Sequence, residues 1–117
     1  NHIDYCGSIE KAIEMAYEYV QLKKPGMKIE VETRSINDVR RVLAVGKVDR
    51  IMLDNFTPEK ISEALLLIND RIETEASGGI NYDNLVSYAE TGVDFISSGA
   101  IIHQAVSLDL SLKAAII

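Results

Sequence analysis

Cysteine occurs once in the 117 residues, proline twice and tryptophan not at all. A single cysteine excludes an internal disulfide framework and suits a reducing compartment. No apolar run approaches the ~18 residues that a membrane span requires. Positive charge is also scarce: 12 Lys and Arg stand against 18 Asp and Glu, a formal charge of -6, and no basic cluster exists to neutralise phosphates along a duplex. Neither nucleic acid nor membrane is therefore an expected partner. No secretory leader is visible, so a cytoplasmic location is expected. The chain opens on Asn1-His2 rather than Met, as the interior of a longer protein would. What is present is a globular composition, 47% hydrophobic and 26% charged, too apolar for a disordered chain. The length fits one domain, able to bury roughly 65% of its unfolded surface.

Short β-like runs recur at even intervals: Lys28-Glu32, Arg50-Leu53, Arg71-Glu75 and Asp94-Ser97. Helical patterns separate them. A strand plus a helix every ~20 residues is a βα repeat, which implies parallel strands. The expected fold class is α/β, with repeat units forming the second half of an open, TIM-like barrel. Ser8, Ser35 and Thr57 are the candidate N-caps of three helices, with Pro58 at a first helical position. Pro25-Gly26 and Gly46 mark the ends of the first two. Asn81 is expected to open a fourth helix, with Leu85, Val86 and Ala89 inward and Gly92 as its stop.

Strand residues alternate between faces, so Ile29 and Val31 should pack on the helices while Glu30 and Glu32 point to the other side, a barrel's interior. Unpaired buried carboxylates cost several kcal/mol, tolerable when a cation, a basic side chain or a metal-bound substrate lies opposite. Asp54, at the end of the second run, is expected level with Glu32, and Glu75 ends the third. Three acids would then crown three successive strands at the rim where barrel enzymes collect catalytic groups. The plainer alternative is that each caps a helix or sits solvated on the rim.

Small residues follow the last two runs: Ser77-Gly78-Gly79, and Ser97-Ser98-Gly99-Ala100. Such loops let backbone N–H groups approach a ligand, and a helix N-terminus beyond them favours an anion. A pair at the last two strands matches the phosphate cradle of barrel enzymes; a lone Ser-Gly-Gly is an ordinary turn. From position alone, His103 could bond that phosphate or cap a helix. His2 is as well explained by solvation as by function, and Cys6 reads as a small structural residue. No Cys/His spacing suggests zinc.

The ordered blocks Asn1-His2-Ile3, Ile29-Glu30-Val31-Glu32, Ile51-Met52-Leu53-Asp54-Asn55-Phe56, Glu75-Ala76-Ser77-Gly78-Gly79-Ile80, Tyr88-Ala89-Glu90-Thr91-Gly92-Val93-Asp94-Phe95-Ile96-Ser97, Gly99-Ala100-Ile101-Ile102-His103 and Leu108-Asp109-Leu110-Ser111-Leu112 closely resemble quinolinate phosphoribosyltransferase, over essentially the whole chain. The resemblance implies formation of nicotinate mononucleotide, carbon dioxide and pyrophosphate from quinolinate and phosphoribosyl pyrophosphate, with Mg2+, for NAD synthesis. It implies that Glu32 and Asp54 are the catalytic acids, contacting Mg2+ directly or through water. The substrate- and phosphate-binding set would be Glu75, Ser77, Gly78, Gly79, Ser98, Gly99, Ala100 and His103. One departure is Ile102-His103-Gln104, where the family usually has Thr-His-Ser.

The resemblance also implies that residues 1–117 are the C-terminal part of the barrel domain. The family's N-terminal domain, its first barrel strands and the basic residues that grip quinolinate would precede Asn1. The expectation is that these residues alone are inactive, expose an open sheet edge and belong to a homodimer or larger homo-oligomer. The alternatives are another phosphate-binding barrel enzyme, or a non-catalytic phosphate-binding or assembly module.

Overall fold

A computed structural model of the chain describes residues 8–97. The elements run α1 (Ile9–Lys23), β1 (Glu30–Thr33), α2 (Ile36–Val45), β2 (Arg50–Asp54), α3 (Pro58–Ile68), β3 (Glu73–Ser77), α4 (Leu85–Ala89) and β4 (Phe95–Ser97). The strands form one parallel sheet in the order β1-β2-β3-β4. This is the expected βα repeat, with α2, α3 and α4 each joining two neighbouring parallel strands.

The helices begin where the side-chain chemistry directs. Ser8 Oγ accepts from Lys11 N, Ser35 Oγ from Asp38 N and Thr57 Oγ1 from Lys60 N, at 3.1, 3.1 and 3.2 Å. Each satisfies an amide that the helix itself cannot. Asp38 reaches back to Arg34 N at 3.0 Å, one residue before the usual capping-box partner. The first two helices end before Pro25-Gly26 and at Gly46, as expected. The third ends on Asn69 in the left-handed region, φ 51.

One face of the sheet carries Val31, Thr33, Ile51, Leu53, Thr74, Ala76 and Ile96, all buried under the helices. Ile13, Val39, Val42, Ile61, Ala64 and Ile68 complete this core. Burying one such aliphatic side chain contributes about 1.5–3 kcal/mol. The other face carries Glu30, Glu32, Arg50, Met52, Asp54, Glu73, Glu75, Ser77, Phe95 and Ser97, in phase with the register. The predicted division of strand 1 into apolar and acidic faces is therefore what the fold shows.

At the amino ends of the strands the same contact occurs twice. Asp49 Oδ2 accepts from Ile29 N at 2.7 Å, and Asp94 Oδ2 accepts from Thr74 N at 2.9 Å. In each case an aspartate just before one strand ties down the start of its neighbour.

Two expected elements are displaced. Arg71 and Ile72 are not in strand 3. The Arg71 side chain donates to Ile68 O and Leu67 O, at 3.0 and 2.7 Å, and so caps the carbonyl end of α3. β3 therefore begins at Glu73 and runs through Ser77. Asn81 does not open a helix. Its Oδ1 accepts from Asp83 N and Asn84 N at 2.9 and 3.2 Å, closing a turn, and α4 starts only at Leu85. Val86 is exposed, as is Ala89. The buried residue of α4 is Tyr88, whose hydroxyl donates to Phe56 O at 2.8 Å.

Candidate active site

The carboxyl ends of β1 and β2 place Glu32 and Asp54 on the same face of the sheet. They are not level. Glu32 lies opposite Met52, which lies opposite Glu75, whereas Asp54 lies opposite Ser77. The expectation of three acids in one row is thus corrected: β3 starts two residues later than its sequence suggests, so Glu75 falls in mid-strand. Asp54 lies two residues further toward the rim than Glu32 and Glu75, in line with Ser77 and Ser97.

Arg34, just beyond β1, draws Glu32 and Asp54 toward one point. Its guanidinium lies 2.9 Å from Glu32 Oε2 and 3.8 Å from Asp54 Oδ2. Burial first, and then repulsion from Glu32, push the Asp54 carboxyl above the ordinary aspartate range, while Arg34 pulls it back. Burial thus outweighs the like charge of Glu32 in raising this carboxyl.

Two features shape the floor and the neighbouring loop. Arg50 lies on this face between the acids of β3, 3.3 Å from Glu73 Oε1 and 3.5 Å from Glu75 Oε1. Its guanidinium stacks 3.8 Å from the centroid of the Phe95 ring. Asn55 N donates to Ser77 O at 2.8 Å, and Gly78 packs so closely that a β-carbon there would lie 2.5 Å from Asn55 Oδ1 and 2.9 Å from Asn55 N. Gly78 and Gly79 both have positive φ, 87 and 69. The loop thus needs glycine for its turn and, at Gly78, for the close approach to β2.

The expected residues divide accordingly. Glu32, Asp54, Ser77, Gly78 and Gly79 gather at the carboxyl end of the sheet. Ser77 is the last residue of β3 rather than a loop residue. Glu75 is fully buried, bonded to Ser97 and paired with Arg50, so the direct substrate contact expected of it does not fit its position. His2, Cys6, Ser98, Gly99, Ala100 and His103 lie outside the described residues. The helix N-terminus expected behind Gly79 is not there: Asn81 consumes the Asp83 and Asn84 amides. Arg34 and Arg50 went unforeseen, though Arg50 was legible, since it shares strand parity with Asp54.

Known proteins share the sequence and fold of this chain. Residues 1–113 match the family described as "Quinolinate phosphoribosyl transferase, C-terminal domain". "Quinolinate phosphoribosyltransferase [decarboxylating] 1b" of Nicotiana tabacum is 39% identical over 127 aligned positions, covering 97% of this chain and 36% of the relative. "Probable nicotinate-nucleotide pyrophosphorylase [carboxylating]" of Methanocaldococcus jannaschii is 43% identical over 119 positions, covering 96% and 40%. The solved nicotinate-nucleotide pyrophosphorylase of Francisella tularensis superposes with a TM-score of 0.75 at 39% identity, covering 86% of this chain and 34% of that one. The chain therefore spans about 36% of the first relative's length. With its residues matched almost end to end, its parallel βα units superposing and its strand-end acids on one face, the chain belongs to the quinolinate phosphoribosyl transferase family, in that family's C-terminal domain.

Proposed function

We propose that the chain supplies the sugar-phosphate half of an active site that transfers a phosphoribosyl group from phosphoribosyl pyrophosphate to quinolinate. Decarboxylation then gives nicotinate mononucleotide, carbon dioxide and pyrophosphate for NAD synthesis. The observation that carries this reading is the convergence of Glu32 and Asp54 on one point at the carboxyl rim, beside the glycine turn. As pyrophosphate departs, the anomeric carbon gains positive character. Two carboxylates fixed on one side of it stabilise that charge more than they stabilise the neutral ground state. Gly78 and Gly79, with Ser77, Ser98, Gly99, Ala100 and His103, would anchor the 5′-phosphate and so orient the sugar.

The donor set suits magnesium. This cation binds through one or two carboxylates, completing its shell with water and substrate phosphate. Among the described residues no group of three or more Asp, Glu, His or Cys forms a closed metal cage. Glu32 and Asp54 would hold Mg2+, directly or through water, and the ion would neutralise the pyrophosphate charge when bound. The Asp54 carboxyl, raised by burial and then by Glu32, gains from a cation there. Arg34 already shares that position, so a metal would displace it from Asp54.

A cytoplasmic location and a homodimer or larger homo-oligomer belong to the same reading. No helix among the described residues is long and apolar enough to cross a membrane. The names of some plant relatives place those proteins in chloroplasts or mitochondria.

The test is a chimera in which these residues replace the corresponding third of the Francisella enzyme, assayed with labelled quinolinate, phosphoribosyl pyrophosphate and magnesium. Turnover is expected, together with its loss in Glu32→Gln and Asp54→Asn. The 117 residues alone are expected to give none. A folded chimera without labelled nicotinate mononucleotide, or acid variants with full activity, refutes the reading.

A further inference from the structure

Two arginines stand on the acidic side of the sheet, and they are held differently. Arg50 is nearly enclosed, its side chain 13% exposed, with Glu73 and Glu75 about its guanidinium and the Phe95 ring against it. Arg34 has a fixed base and a loose tip. Its backbone N donates to Asp38 Oδ2 at 3.0 Å, and the adjoining Ser35 caps α2. Its side chain, however, is 69% exposed. Nε and Nη2 converge on one oxygen of Glu32, Oε2, at 3.0 and 2.9 Å, and Asp54 Oδ2 lies 3.8 Å from Nε. The fork is not spread over both oxygens of a carboxylate, the arrangement in which a guanidinium binds most firmly. A pair this exposed is weak, so a stronger cation can replace it.

Charge decides where the guanidinium then goes. Two carboxylates face it at the rim, and a diphosphate arriving beside them adds further negative charge. Magnesium completes its shell with substrate phosphate, so the diphosphate must come close to Glu32 and Asp54. Once both acids ligate the cation, Arg34 loses its partners while still within reach of phosphate oxygens that suit its fork.

We propose that Arg34 is an exchangeable counter-ion that positions the leaving diphosphate. It holds Glu32 and Asp54 together while no metal is bound, and passes to the diphosphate when the two acids bind a divalent cation. This rests on the phosphoribosyl-transfer reading above and deepens it.

The test is a pair of affinities measured on the full chain: Mn2+ alone, by the loss of its free-ion EPR signal, and magnesium diphosphate, by calorimetry. Arg34→Gln should move them in opposite directions. Loss of the competing guanidinium should tighten Mn2+ about two- to fivefold, and loss of its charged hydrogen bonds should weaken magnesium diphosphate about tenfold. Arg34→Lys should return Mn2+ to the wild-type value and restore part of the diphosphate affinity. Arg40→Gln, which removes the same charge from an exposed position on α2, should change neither. Unchanged or weaker Mn2+ binding in Arg34→Gln overturns the counter-ion role, and undiminished diphosphate binding overturns the positioning role. Equal shifts in Arg40→Gln reduce both effects to net charge and overturn the proposal. A wild-type chain that takes up no Mn2+ overturns the metal assignment beneath it, whereas uptake that Arg34→Gln leaves unaltered overturns the proposal alone.

Discussion

Replacing Glu30 with glutamine isolates the electrostatic cost of the sheet's acidic face. Glu30 lies on that face with Glu75, and its carboxyl is pushed up to about 7. Burial is the main cause, followed by the hydrogen bond and charge of Glu75; Arg50 opposes, and Glu32 adds further repulsion. Glu30 Oε2 and Glu75 Oε1 are both buried without a hydrogen-bond partner, an arrangement that a proton on Glu30 relieves. The sign follows directly. Between 4.5 and about 7 the folded chain keeps a proton on Glu30 that the unfolded chain has released, so stability is full below that window and falls as pH rises through it. At about 1.4 kcal/mol per pH unit the limit is about 3 kcal/mol, and solvent screening at this partly exposed group reduces it to about 1–2 kcal/mol. Glu30→Gln keeps a donor for Glu75 and removes the titration. Urea unfolding at pH 4.5, 6 and 8 should show the variant equal to wild type at the lowest pH and about 1–2 kcal/mol more stable at the highest. A difference that stays constant across the three pH values, or favours wild type at pH 8, refutes the reasoning.

Adjacent glycines offer a contrast. Gly78→Ala places a β-carbon against the Asn55 backbone and should cost at least about 2–3 kcal/mol, whereas Gly79→Ala has the same sign of φ but its nearest neighbour is 4.0 Å away, and should cost about 1 kcal/mol; thermal unfolding of the pair decides. Glu10 is held at about 2 by its hydrogen bonds and charge pairing with Arg41, which it meets at 2.6 and 2.8 Å, so it stabilises above 4.5 and that contribution is lost as pH falls toward 2. Glu10→Gln should therefore lower stability at pH 7 and leave it unchanged at pH 2, as read by unfolding at both. Removing the cation in Arg34→Gln should drive the Asp54 carboxyl further upward, measured by carbon-detected NMR titration of the side chain, and an unmoved Asp54 would show that Arg34 does not couple the two acids.

Much of the architecture could be read from the residues because the signals were local. Ser8, Ser35 and Thr57 cap where their hydroxyls reach the next turn's amides, and the Ile29/Val31 against Glu30/Glu32 alternation fixes which face meets the helices. The errors arose where a side chain bonded to backbone in competition with the expected element. Arg71 resembles a strand residue beside Ile72 but is drawn to the orphan carbonyls of α3, and this shifted Glu75 from strand end to mid-strand. Asn81 looks like an N-cap but folds its oxygen into a tight turn, delaying α4. At the site, the acids were legible from their type and parity. Their counter-charges are not, because Arg34 lies outside any strand and the partners of Arg50, Glu73 and Glu75, are set by the register between β2 and β3. The contact of Gly78 with Asn55 needs the register between β2 and β3, which a single sequence does not contain.

The two strand-starting aspartates carry a consequence for assembly. Val48-Asp49-Arg50-Ile51 and Val93-Asp94-Phe95-Ile96 are variants of one short phrase, and each fastens a pair of neighbours, β1 with β2 and β3 with β4. Between β2 and β3 the equivalent position is Ile72, which has no carboxylate to offer; these strands pair along their whole length, from Arg50↔Glu73 to Asp54↔Ser77, and Asn55 N on Ser77 O extends the join beyond them. The two ladders that flank the centre of the described sheet are thus each secured by a strand-starting aspartate, while the central one, β2 with β3, holds through its own register and through Arg50 on Glu73 and Glu75.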